Sequence, residues 1–239
     1  MIKYVHGNIP GKGMSTIAVI EGDTHLSKWI TEDARLDHDN KPGGLLPLIM
    51  DLINPGDVVV DGGACLGDHT AAYAIKAKSV LAFEPNPEAY ECLCRNVDGL
   101  SVVRFGFGLS DKWSVKGMST DPNLGASRVV DSGGAARIVV GPLDDIFGGR
   151  VSLIKLDIEG YEVKALSGAR LTIARCLPVL VLEVNRGCLE SAGDSVEALG
   201  QMLDELGYDA LDIHSGEPFR VDDPRPMYDI VCRPKEQTK

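Results

Sequence analysis

The chain has 239 residues, 44% of them hydrophobic and 25% charged, with a formal net charge of −11, a size at which an α/β chain commonly buries a single core. No run approaches the roughly 18 consecutive apolar residues of a membrane span, and the acidic excess repels phosphate backbones, which disfavours nucleic acid as a partner. The opening Met1 to Gly7 has no secretory or Arg-rich transit pattern, so a cytoplasmic location is expected; the six scattered cysteines lack CxxC spacing and are expected to be reduced thiols.

Met1 to about Gly44 is Gly-rich, polar and weakly periodic, and reads as an appended segment placed to cover an acceptor. A helix is predicted at Leu45 to Ile53. From Asp57 onward, short β-branched runs alternate with amphipathic stretches, the pattern of parallel strands joined by crossover helices. Val58 to Val60, Ser79 to Phe83, Ser101 to Phe105, Val151 to Leu156 and Val179 to Leu182 are apolar on consecutive positions, as strands covered on both faces must be.

Asn86 and Pro87 supply an N-cap and a first helical residue for a helix carrying Tyr90, Leu93 and Val97. Asp111 to Gly141 interrupts the alternation with Gly, Ser and short β-prone pieces, suggesting a hairpin-like insertion. A helix with Val163, Leu166 and Ala169 follows the fourth strand; Asp194 with Glu197 resembles a capping box for the next, which Gly207 closes. The expected division is 1–44 as extension, 45–234 as catalytic domain with the insertion at about 111–141, and 235–239 as a frayed tail.

The segment Val58 to Thr70 runs from a strand through a glycine-rich turn into a helix. Glycines there let the backbone approach a ligand, and the helix presents free N–H groups at the carboxyl ends of the strands. Gly62 and Gly63 do not begin the G-x-G-x-x-G of a dinucleotide site. Asp61 ends the strand just before the turn, where a carboxylate would repel a pyrophosphate but hold the cationic end of a methionine moiety, so S-adenosylmethionine is the expected cofactor. Glu84, ending the second strand, is placed to accept from both ribose hydroxyls, with Pro85 and Pro87 fixing the turn around Asn86.

These residues resemble the FkbM family of methyltransferases, whose motifs appear here in order as Asp61 to Gly67, Glu84-Pro85, and Lys155-Leu156-Asp157-Ile158-Glu159-Gly160-Tyr161-Glu162. The resemblance covers roughly Leu45 to Val184, with Cys65 standing where the family loop usually has Asn. It implies an α/β, Rossmann-like class I methyltransferase with a mostly parallel twisted sheet and helices on both faces. It also implies methyl transfer to a hydroxyl, often on a carbohydrate or other small molecule. By the same resemblance Leu109, Ser110 and Asp111 are adenine neighbours. The expected cofactor-binding set is then Asp61, Gly62, Gly63, Ala64, Gly67, Thr70, Glu84, Pro85, Asn86, Leu109, Ser110, Asp111 and Asp157.

Methyl transfer to an alcohol needs alignment of the acceptor and removal of its proton. Asp157 and Glu159 follow the fourth strand, and Glu183 and Asn185 follow the fifth, so a doubly wound sheet brings all four to one edge of the cleft. Asp157 or Glu159 is a candidate general base. Alternatively Asp157, Glu183 and Asn185 offer hard oxygen ligands to Mg²⁺, or Asp157 and Glu159 only cap the helix after them. Lys155 is a candidate partner for one of these carboxylates, and His69, His25 and His38 are weaker catalytic candidates.

Trp29 and Trp113 are more simply read as packing residues than as sugar platforms. A short-chain dehydrogenase is disfavoured by the missing Tyr-x-x-x-Lys pair, a nucleic-acid methyltransferase by charge and missing motifs; a cofactor-binding module without catalysis is the remaining alternative. Nothing in the sequence sets the oligomeric state, and a homodimer is compatible with it.

Overall fold

The structure, a computed structural model, describes residues 1–37, 39–119, 121–131 and 133–236. His38 and the last three residues of the tail therefore lie outside the described residues. The chain opens with a hairpin, β1 (Ile2–Ile9) and β2 (Gly13–Ile20), followed by α1 (Leu26–Asp33) and α2 (Leu45–Leu52). Then come β3 (Val58–Gly62), α3 (Asp68–Lys76), β4 (Ser79–Phe83), α4 (Pro87–Asn96) and β5 (Val102–Phe105). The inserted region holds β6 (Gly108–Leu109), β7 (Ser114–Met118), β8 (Val129–Val130) and β9 (Ala136–Gly141). The remainder is β10 (Leu153–Leu156), α5 (Glu162–Ser167), α6 (Arg170–Cys176), β11 (Val179–Asn185), α7 (Arg186–Ser191), α8 (Val196–Leu206), β12 (Tyr208–Asp212) and β13 (Met227–Pro234).

The seven-stranded sheet has the order β12-β13-β11-β10-β3-β4-β5. The five strands from β11 to β5 pair in parallel, and β13 runs antiparallel between β11 and β12. Alternate residues of each strand feed opposite faces: Val60, Leu81, Ile154 and Leu180 pack towards α5, α6 and α8, while Val59, Val80, Leu153 and Val181 pack towards α2 and α3. This is the α/β, Rossmann-like class I architecture, with the order reversing at β3, where β10 and β4 flank it. Such a switch point opens a crevice at the strands' carboxyl ends.

Residues 1–44 are more ordered than their composition suggests. The hairpin turns at Gly11 and Gly13, both at positive φ, and buries Ile9, Ile17, Ala18 and Val19 against Ala89, Leu93 and Val97. Buried Asn96 ties it down: its Oδ1 accepts from Ala18 N–H (2.7 Å), and its Nδ2 donates to Ala18 O (3.0 Å) and Leu66 O (2.8 Å). The hairpin is thereby fastened to the glycine loop itself. In the insertion, β7 pairs antiparallel with β8 and β9.

Two helix expectations shift. The helix predicted around Val163 to Ala169 is two short helices, because Gly168 passes so close to Ser110 that an added Cβ would lie 2.0 Å from its carbonyl oxygen. The cap of α8 is Ser195, whose Oγ accepts from Ala198 N–H (3.1 Å); Asp194 pairs with Lys164 instead. Asn86 caps α4 as expected, accepting from Glu88 and Ala89 N–H, Gly207 closes α8 at φ +76°, and the six cysteines are free thiols.

Candidate active site

A cleft enclosing about 980 Å³ of empty space out to its mouth lies at the carboxyl ends of β3, β4 and β10. Its floor is the turn after β3. Gly63 sits at φ +79°, and a Cβ there would stand 1.9 Å from Asp157 O, so the close passage of the two strand tips admits no side chain. Gly63 and Ala64 both donate to Phe83 O (3.1 Å each), binding the turn to the end of β4.

Glu84 occupies the next strand tip, 6% exposed. Its Oε2 accepts from Cys65 N–H (2.8 Å) and its Oε1 from Asn86 N–H (2.7 Å), leaving each oxygen a lone pair for a ligand. Burial pushes this carboxyl up to about 7, against the opposing pull of the two N–H bonds. Pro85, Asn86, Ala89, Gly108 and Leu109 continue the wall.

The roof comes from the peripheral segments: Leu26 from the N-terminal region, and Leu124, Gly125, Ser127 and Val129 from the insertion. The two segments are bonded where they meet, Thr24 N–H donating to Pro122 O (2.9 Å) and Leu124 N–H to Asp23 Oδ1 (3.2 Å).

The opposite end is acidic. Asp157 and Glu159 line the cleft, and ligand oxygens of Asp157, Glu159 and Glu183 all lie within 4.8 Å of one another. Glu159 stands at φ +54° next to Gly160 at +101°. Glu162 holds this bend, its Oε1 accepting from Ile158 N–H (3.1 Å) and Gly160 N–H (3.3 Å). Burial raises Glu159, although the Cys188 thiol donating to its Oε2 (3.0 Å) works the other way. Burial, joined by the charges of Asp157 and Glu159, pushes Glu183 far up, and Asp229, facing Glu183 across β11 and β13, rises to about 6, first through burial and then through Asp157.

Lys155 is the buried cation of this region. Its Nζ lies 3.6 Å from Asp61 Oδ1, 3.4 Å from Asp157 Oδ2 and 3.4 Å from Gly63 O. Burial alone would lower it, but Asp157 and Asp61 more than compensate and hold it protonated. His69 also lines the cleft, with Nδ1 3.2 Å from the Tyr73 hydroxyl and Nε2 3.7 Å from Asp39 Oδ2. Burial pulls His69 down, and Asp39 and Asp68 outweigh it to raise the ring.

Of the residues expected to touch the cofactor, Gly63, Ala64, Glu84, Pro85, Asn86, Leu109 and Asp157 line the cleft. Asp61 lies one layer deeper, fully buried, because Thr70 Oγ1 donates to its Oδ2 (2.5 Å) and Lys155 stands beside it. Thr70 is thus occupied with Asp61. Gly62 and Gly67 are packing positions: an added Cβ would meet Leu156 Cδ2 at 2.8 Å and Leu93 and Val97 at 2.9 Å, respectively.

Ser110, buried, and Asp111, exposed, are outside the cleft lining and bonded side chain to side chain (3.1 Å). Asn185 caps α7, its Oδ1 accepting from Cys188 N–H (3.3 Å), and the carboxylate that stands with Asp157 and Glu183 is Glu159. His25 stacks edge-on against Trp29, outside the cleft lining. Trp113 packs on Phe107 and donates to Asp145 (2.8 Å). An insertion at 111–141 is the kind of segment that covers an active site, but the particular roof residues Leu124 to Val129, Asp39 beside His69, and Asp229 carry no local motif.

A class I fold with a glycine turn, a strand-tip glutamate and an acidic corner defines the methyltransferase class. The model of the methyltransferase FkbM domain matches residues 61–210, and the chain belongs to that family. It is 26% identical over 168 residues to the hexuronic acid methyltransferase AglP of Haloferax volcanii, spanning 66% of either chain. The solved methyltransferase FkbM of Methylobacillus flagellatus superposes with a TM-score of 0.53 at 21% identity, over 83% of this chain and 47% of that one. SMU.1697c of Streptococcus mutans, solved in complex with SAH, gives 0.50 at 10% identity over 79% and 94%. The chain thus spans about two thirds of the curated relative and about half of the solved FkbM protein. No helix among the described residues is long and apolar enough to cross a membrane.

Proposed function

We propose that this chain transfers a methyl group from S-adenosylmethionine to a hydroxyl of a small-molecule or carbohydrate acceptor. The observation that carries the reading is the placement of Glu84 and the acidic residues Asp157 and Glu159 in one cleft, at strand tips on either side of β3. The cofactor's parts fit this chain: the free lone pairs of Glu84 suit the ribose diol, Leu109, Pro85, Ala89 and Leu124 offer apolar surface to a purine, and the acidic end suits a sulfonium. When bound, the cofactor supplies an electrophilic methyl carbon; the acceptor oxygen forms a bond to it as the carbon–sulfur bond breaks, and that electron pair stays on sulfur.

The chain's own residues do the rest. Leu26 and the 124–129 segment cover the cleft and exclude water, and the hydroxyl proton passes to a carboxylate oxygen of Asp157 or Glu159. The acceptor class draws support from the hexuronic acid methyltransferase relative, while the net charge of −11 disfavours nucleic acid. A screen of hydroxylated acceptors with labelled methyl donor tests this reading. Asp157→Asn should keep SAH binding and lose most methyl transfer; full turnover by that variant removes the catalytic assignment.

A further inference from the structure

We propose that Asp157, Glu159 and Glu183 form a binding site for one divalent cation of the Mg²⁺ class, beside the place where the acceptor hydroxyl would sit. The three residues come from the ends of two adjacent parallel strands, β10 and β11, and each contributes one carboxylate oxygen to a group whose members lie within 4.8 Å of one another. Oxygens across an octahedral Mg²⁺ stand about 4.2 Å apart, and about 4.8 Å across Ca²⁺. Three oxygens on one ion include at most one such pair and the others stand closer, so the grouping, all within 4.8 Å, must draw in by side-chain rotation to take either ion. All the donors are hard oxygens, which excludes a preference for soft metals.

A second observation is independent of the cluster. Glu183 is 8% exposed, and its Oε2 is fully buried without a hydrogen-bond partner among the described residues. A buried acceptor oxygen left bare costs free energy, and native folds usually pair such an atom with a donor, a water or an ion. Lys155 is not that partner, since its ammonium stands between Asp61 and Asp157. Arg128 donates instead to Cys188 Sγ (3.9 Å) and Ser191 Oγ (3.5 Å). Glu159 is meanwhile fixed towards the group by a left-handed backbone that Glu162 braces, the kind of strain that persists where a site requires it.

An ion held by one oxygen of each carboxylate would bind and acidify the acceptor hydroxyl, while the second oxygen of Asp157 or Glu159 takes the proton. That catalytic role rests on the reading above; the cation site does not.

The test uses the cofactor-free full chain. Mn²⁺ titration followed by electron paramagnetic resonance should show one saturable ion per chain, displaced by Mg²⁺ or Ca²⁺ and weakened at least tenfold in Glu183→Gln. The half-exposed Asp157→Asn serves as a second variant should the first fail to fold. Absence of saturable Mn²⁺ binding up to millimolar concentration overturns the proposal, as does wild-type affinity in a folded variant. SAH titration of the same sample separates the two readings: SAH binding without Mn²⁺ binding removes the cation site alone, whereas Mn²⁺ binding without SAH binding keeps it and removes the methyltransferase reading.

Discussion

Glu84→Gln keeps the side chain's shape and removes its charge, and the structure says that stability and binding should respond differently. An amide has one acceptor oxygen, so either Cys65 N–H or Asn86 N–H would face an NH₂ donor. The turn then loses a charge-assisted bond worth about 1.5–3 kcal/mol. Against this, burial raises the carboxyl from 4.5 to about 7; at about 1.4 kcal/mol per unit, carrying the charge inside the fold above pH 7 costs on the order of 3 kcal/mol, which the amide avoids. The raised value is already net of the two N–H bonds, so relief of the buried charge outweighs the lost bond, and the cofactor-free variant should melt no lower than the parent at pH 8.

Binding has no such offset. A ribose hydroxyl loses its carboxylate oxygen, and SAH affinity should fall roughly 10- to 150-fold. The pH dependence follows from the direction of the shift. A carboxyl raised in the fold stabilises it fully below about pH 4.5, and that contribution disappears as pH climbs through about 7. The diol needs the ionised form, so SAH affinity should weaken as pH drops below about 7, and that slope should be absent in Glu84→Gln. Calorimetric titration with SAH and thermal melts on the same samples read both quantities. A folded variant that binds SAH as tightly as the parent refutes the assignment of Glu84 to the ribose.

Cys65 stands at φ +46°, a left-handed conformation that Asn adopts more readily than other side chains bearing a Cβ. Cys65→Asn should therefore raise stability by about 0.5–1 kcal/mol, a gain of about 1–4 °C by calorimetry; an unchanged or lower melting temperature argues that the thiol's packing outweighs the backbone. Asn96→Ala removes three buried hydrogen bonds that join β2 to the glycine loop. It should cost about 2–4 kcal/mol and speed amide exchange at Ala18 above that of β10, and undiminished protection at Ala18 would show that apolar contact alone fastens the hairpin.

The central strands are legible in the sequence because burial on both faces writes them as continuous apolar runs: Val58 to Val60 and Val179 to Leu182 need no partner to be recognised. The N-terminal hairpin is not, since β1 exposes half of its residues and β2 buries only its second half, leaving no clean period. β12 and β13 also escape, because both alternate in burial and are separated by a polar loop. In the site, residue types mark the strand tips, and the motif around Asp157 and Glu159 marks the acidic end. Depth is another matter. Whether a carboxylate reaches the cleft or stops a layer below depends on partners from other elements, as Thr70 and Lys155 show for Asp61, and no local motif carries that information.

Asp61 shows how much that depth changes the electrostatic argument. A carboxylate at the tip of the first core strand should attract a cationic donor if it faces the cleft, but here it is fully buried, bonded to Thr70 and 3.6 Å from the Lys155 ammonium. An acid and a base so close, with no solvent between them, present to the cleft little more than a dipole. The same lysine also stands 3.4 Å from Asp157, so Asp61 moderates the acidic corner indirectly, by holding the cation in place. The negative charge turned to the cleft then belongs to Asp157 and Glu159, of which only Asp157 touches the Lys155 ammonium, while burial and its neighbours' charges favour the neutral form of Glu183 beside them. A diphosphate brought to that corner would meet like charge, whereas a sulfonium, or a divalent ion, would meet the charge it lacks. On the proposed function, selection of a cationic donor would fall to the β10 and β11 tips, with the β3 acid anchoring the lysine beside them.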